Sequence, residues 1–132
     1  MDIIQRLVAM GDTRSAEEQL PLTPAVFHIL LALAGGEKHG YGIMQEIAAL
    51  TDDKMRIGPG TLYGSIKRLL AGGLIEETDE RPAPEMDDER RRYYRLTAFG
   101  RLVVTAEAER LFHLVKQAQL RKLLGAQKPT VS

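Results

Sequence analysis

The sequence has no cysteine, no tryptophan, no net charge and no long hydrophobic run. Without cysteine there is no disulfide scaffold and no thiolate metal site. The apolar runs fall far short of the roughly 20 residues a membrane helix needs. Met1-Asp2-Ile3-Ile4-Gln5-Arg6 shows no basic stretch leading into an apolar signal segment. These absences predict a cytoplasmic protein with no membrane partner. Eighteen Lys and Arg balance eighteen Asp and Glu over 132 residues, so composition alone gives no support to nucleic-acid binding. The length suits one small domain with extensions.

Catalytic signatures are absent too. There is no His-Glu-x-x-His, no Gly-x-Ser-x-Gly and no phosphate-loop Gly-Lys-Ser/Thr. Gly58-Pro59-Gly60 with Gly64 has the wrong spacing for a dinucleotide fingerprint and reads as a helix start. No enzyme and no cofactor are expected. No metal is expected either, because the six acids of the 79–89 loop lack the ligand spacing of a calcium loop.

What is present is segregated. Residues 1–22 carry a net charge of −2, 23–73 of +1, 74–96 of −3 and 97–132 of +4. A basic surface can therefore exist on a neutral chain. Within 74–96 the acids come first, and the bases end the segment as Arg90-Arg91-Arg92 and Arg95.

The elements follow from caps and periodicity. Residues 1–21 read as an N-terminal arm, with a capping-box pattern at Ser15-Ala16-Glu17-Glu18. Thr23-Pro24 starts a helix, with a hydroxyl cap and then proline in the first position. That helix is apolar nearly all round, which calls for burial on every side and suggests a partner chain. A second helix covers about 41–50, with Ile43, Ile47 and Leu50 on one face, and 54–57 reads as a short extended segment. A third opens at Gly58-Pro59-Gly60-Thr61. Leu62, Ile66 and Leu69 face inward, while Thr61, Gly64, Ser65, Lys67 and Arg68 project outward or sideways. Strands at 74–78 and 92–96 flank an acidic loop and form a hairpin. Thr97 caps a last helix of about 27 residues, roughly 40 Å long. It ends near Gly125, followed by a frayed tail over 126–132. Its apolar stripe exceeds what a small domain can cover, which again implies a second chain.

Three helices followed by a hairpin predict a mainly α fold: a winged helix-turn-helix over 22–97, with a C-terminal dimerisation helix over 98–125. The third helix is the reading helix. Its short side chains allow close approach to base edges, Thr61 and Ser65 can donate or accept, and Lys67 and Arg68 can reach guanine or phosphate. The candidate DNA-contacting set is His39, Gly40, Tyr41, Pro59, Thr61, Tyr63, Gly64, Ser65, Lys67, Arg68, Arg90 and Arg91. Candidate dimer contacts are Val26, Phe27 and Leu30 on the first helix. On the last they are Val104, Ala108, Leu111, Phe112, Val115 and Ala118.

The chain also resembles a known family. The motifs are Leu22-Thr23-Pro24 leading to Ile29-Leu30, then His39-Gly40-Tyr41-Gly42-Ile43. Thr61-Leu62-Tyr63, Lys67-Arg68-Leu69 and Gly73-Leu74-Ile75 follow. Arg91-Arg92-Tyr93-Tyr94-Arg95-Leu96-Thr97 with Gly100 completes the set. In this order they resemble the PadR family of transcriptional regulators over about 22–101, and the single last helix resembles its smaller subfamily. The resemblance implies a winged-helix homodimer that represses transcription at a palindromic operator on double-stranded DNA. Dimerisation would run through the first and last helices. Release by a small aromatic or apolar effector is implied as well. Two departures stand out: Asp88-Glu89 replace the glycine pair common in family wings, and Leu111 falls near the place of the drug-stacking tryptophan of multidrug-sensing members.

Several residues admit two readings. Tyr63 is either core with its hydroxyl at the rim or a phosphate contact. His39 and Tyr41 are either phosphate contacts at a helix start or a turn histidine and a packed tyrosine. Arg90, Arg91 and Arg92 read as serving both DNA binding and neutralisation of the acidic wing. His28 reads as a satisfied core or interface histidine, and His113 as structural with a cavity-lining role as the alternative. For the whole chain the alternative to a DNA-binding regulator is a winged-helix protein-interaction module that does not bind DNA. A small-molecule-binding or catalytic dimer is a distant third.

Overall fold

The computed structural model describes residues 15–78 and 92–125. A 3-10 turn at Ala16–Gln19 leads into α1 (Pro24–Ala34), β1 (Lys38–His39), α2 (Gly40–Leu50) and α3 (Pro59–Ala71). Strands β2 (Ile75–Thr78) and β3 (Tyr93–Leu96) follow, and α4 (Ala98–Leu120) ends the set. Among the described residues the sheet is antiparallel, in the order β1-β3-β2.

Three of the four described α-helices begin at a side-chain cap. The Thr23 and Thr97 hydroxyls accept from Val26 N and Gly100 N, satisfying amides that the first turn leaves without intrahelical partners. His39 caps α2 through its ring, with Nδ1 accepting from Gly42 N at 3.0 Å. Between α2 and α3 the Thr51 hydroxyl donates to Ile47 O and accepts from Met55 N, which folds the connection into a turn. Residues 54–57, read from the sequence as a short extended segment, join no sheet among the described residues.

The core gathers one stripe from every helix: Ile29, Leu30 and Leu33 of α1, Ile43 and Ile47 of α2, Leu62, Ile66 and Leu69 of α3, and Phe99, Val103 and Val104 of α4. Leu74, Ile75 and Tyr94 close it from the sheet. Two expected dimer contacts are corrected by this packing. Leu30 and Val104 are buried inside their own chain, so neither offers surface to a partner. Ser65 is corrected likewise. It was expected on the outer face of α3, but it is 1% exposed, because it follows Leu62 by three positions and precedes Leu69 by four on the inward stripe.

Helix α4 has 23 residues, about 35 Å at 1.5 Å per residue, shorter than the expected 27. It stops at a turn in which Lys122 takes a left-handed backbone (φ 60°) and Leu123 N bonds to Ala118 O. Its first turn passes so close to the chain just ahead of β2 that Gly100 touches the Leu74 backbone; a Cβ there would overlap the Leu74 carbonyl oxygen. Beyond Glu107 no residue of α4 is buried. The C-terminal half of the helix leaves the domain with Phe112, Leu114, Val115 and Leu120 exposed. No described helix is long and apolar enough to cross a membrane.

Candidate nucleic-acid interface

The outer face of α3 is polar and cationic. Pro59, Thr61, Lys67 and Arg68 are exposed and Gly64 is half-buried. Lys67 makes no ion pair among the described residues, and Arg68 makes one long contact, its Nη2 donating to Ser65 Oγ at 3.4 Å. Ser65 thus steadies a neighbour and is not itself presented. The N-cap of α3 is Gly58, which supplies no side-chain bond to the first turn, unlike the caps of the other three helices.

The start of α2 lies against this helix. The Tyr63 hydroxyl sits directly over Gly40, and a Cβ at Gly40 would overlap it. Glycine at position 40 is what leaves room for the Tyr63 hydroxyl there. Tyr63 is 49% exposed, so the hydroxyl packs on the α2 start while the ring stays at the rim. Tyr41 is the more open residue, 56% exposed, with its ring parallel to that of His39 at 6.5 Å. His39 also meets the Tyr93 ring edge-on at 5.3 Å. His39 is therefore an N-cap, a role that residue type alone does not signal. An open groove of about 570 Å³ runs from Tyr41 along Met44, Ala48 and Ile57 to Arg56, which pairs with Asp53 at 2.8 Å.

In the wing stem the arginines meet acids across the strands. Arg95 lies opposite Glu76 in the β2–β3 register and pairs with it at 3.5 Å, and Arg92 pairs with Glu77 at 3.2 Å. Arg90 and Arg91, both in the candidate DNA-contacting set, lie outside the described residues, as does the acidic loop. Burial, then the neighbouring Glu77 and Tyr63, hold the Tyr94 phenol above its ordinary value.

The remaining candidates divide by exposure. Val26, Phe27, Leu111 and Ala118 are half-buried, and Ala108, Phe112 and Val115 are exposed. Lys116 lies 5.4 Å from the centre of the Phe112 ring. His28 is satisfied locally by Nδ1 against Pro24 O at 2.6 Å, and His113 is exposed. The sequence reading missed one residue entirely. Glu107 is 1% exposed and ties α4 to the segment ahead of α1. Its position three residues before Arg110 is the only trace of this in the sequence, and such spacing is common on exposed helix faces.

Three helices, a hairpin wing and a cationic third helix define the class: a winged-helix domain. A family model described as the transcriptional regulator PadR-like family matches residues 29–106. The transcriptional regulator Rv3488 of Mycobacterium tuberculosis is 37% identical over 103 residues, covering 78% of this chain and 85% of that protein. A transcriptional regulator from Clostridium thermocellum has a similar solved structure: 29% identity, TM-score 0.59, covering 74% of this chain and 87% of that one. Bordetella bronchiseptica BpsR, whose DNA binding is regulated by 6-hydroxynicotinic acid, is similar at 26% identity and a TM-score of 0.54, covering 94% of this chain and 80% of its own. The chain belongs to the PadR-like family of transcriptional regulators.

Proposed function

We propose that the protein is a homodimeric, sequence-specific DNA-binding regulator that acts as a repressor. The observation that carries the reading is the outer face of α3. Thr61, Lys67 and Arg68 stand exposed on one helix, with Lys67 free of ion pairs among the described residues and no side chain capping the helix start. Two such helices, one from each subunit, would enter successive major grooves about one helical turn apart. Tyr41 and the backbone at Gly40 would fix register on phosphate. The exposed apolar residues of α4 support the dimer. An effector would act by binding two dimer geometries with different affinity, and the regulated DNA binding of BpsR supports asking for one.

One observation favours the rival reading, a protein-interaction module. Arg92 and Arg95, though exposed, are partly neutralised by ion pairs with Glu77 and Glu76, which lowers the positive charge the wing stem offers a duplex. Binding-site selection with the purified protein separates the two. A palindromic motif is expected, and a folded dimer that selects no sequence at moderate salt overturns the DNA reading. Within the selected site, Lys67→Ala and Arg68→Ala should each weaken binding by about 1–3 kcal/mol per half-site if they touch base edges. If Lys67 touches only phosphate, its removal from both subunits should lower the salt slope by about two.

A further inference from the structure

The last buried residue of α4 is a carboxylate. Glu107 Oε2 accepts from the Leu22 backbone N–H at 2.8 Å and from Arg110 Nη2 at 3.1 Å, while Oε1 accepts from Arg110 Nε. Leu22 lies between the 3-10 turn, which packs against α4, and the Thr23 cap of α1. One side chain therefore joins the incoming chain, the start of α1 and the helix that leaves the domain.

Burying a carboxylate is costly, and its pairing with the partly exposed Arg110 adds little net stability over an apolar residue of the same volume. What the charge provides is direction. A forked guanidinium and a backbone amide fix a carboxylate in plane and angle, as a leucine among Val103 and Val104 could not. The location gives that direction consequence. From Glu107 to Leu120 the helix is a lever of about 20 Å, and a tilt of about 10° at its base moves the tip by about 3.5 Å.

We propose that Glu107 is a positioning residue that sets the angle at which α4 leaves the winged-helix body. It thereby sets the separation of the two reading helices in the dimer. The second half rests on the homodimeric reading given above.

The test uses the full chain and two conservative variants. Glu107→Gln keeps volume and can still accept the Leu22 amide but loses the charged fork. Arg110→Lys keeps charge and loses the planar fork. Amide residual dipolar couplings report the orientation of α4 against α1–α3 in monomer or dimer alike. The wild type should fit one orientation, and each folded variant should need a wider spread. On DNA the variants should lose about ten-fold in affinity for the full palindrome, with affinity for an isolated half-site unchanged. A general loss of stability would lower both affinities together. A single wild-type orientation in both variants overturns the proposal, and so does an unchanged ratio of full-site to half-site affinity. If the wild type neither dimerises nor binds DNA, the functional reading and the spacing half fall together. The couplings then still decide whether Glu107 sets the angle.

Discussion

Gly100 has no room for a methyl group. Its neighbour is the Leu74 backbone, which cannot swing aside as the end of a side chain can. Thr97 reinforces the same contact, its hydroxyl donating to Gly73 O at 2.6 Å and its N–H to Leu74 O at 3.0 Å. Gly100→Ala should therefore cost about 2–3 kcal/mol, read by urea unfolding. Glu107 leaves a pH signature. Hydrogen bonding from Arg110, aided by the Leu22 amide and opposed by burial, holds its carboxyl below the ordinary value of 4.5. A depressed carboxyl contributes stability above its unfolded value, and that contribution is lost as pH falls through the folded value. The stability gap between wild type and Glu107→Gln should be constant near neutrality and close below pH 4.5, measured by unfolding at a series of pH values. Lys67 and Arg68 were readable as outward-facing from sequence because the Leu62, Ile66, Leu69 stripe sets the opposite face. Ser65 was not, because a hydroxyl carries little information about burial once a neighbour such as Arg68 can engage it.

The helices were legible because their signals are local. A threonine before a proline, or a threonine three residues ahead of a glycine, acts within one turn whatever surrounds it. Strand β1 was missed because two residues make a strand only through their partner: Lys38 and His39 are defined by Tyr94 and Tyr93, more than fifty positions away. The boundary of α4 was overestimated because the apolar residues Leu123 and Leu124 continue past the turn that ends it. The exposed half of α4 makes its own prediction. Phe112→Asp places a charge on the largest exposed apolar side chain of that half. It should shift the protein from dimer to monomer in sedimentation velocity while leaving the helical signal of the fold intact. A dimer that survives this change would move the interface away from Phe112.

Over the whole molecule the zero net charge governs how the protein would meet DNA. Long-range attraction to a polyanion is weak for a neutral chain, so affinity must come from short-range contacts on α3 and the α2 start. The log–log salt slope of operator binding should accordingly be shallow, below about 6 in magnitude for the dimer. A steeper slope, measured by titration across salt concentrations, would mean that the acids of the 79–89 loop stand far from the duplex.

The sequence by itself determined the order and type of the principal helices and the wing strands, and which face of α3 is polar, since caps, glycines and hydrophobic periods act over a few residues. It also determined that the chain carries more apolar surface on its last helix than one small domain can cover. Only the tertiary structure decided that Leu30, Val104 and Ser65 turn inward, that Tyr63 rests on Gly40, and that the wing-stem arginines Arg92 and Arg95 pair with Glu77 and Glu76. It alone placed Glu107 where α4 leaves the body. These are contacts between distant parts of the chain, and they exist only once packing has brought both partners to the same place.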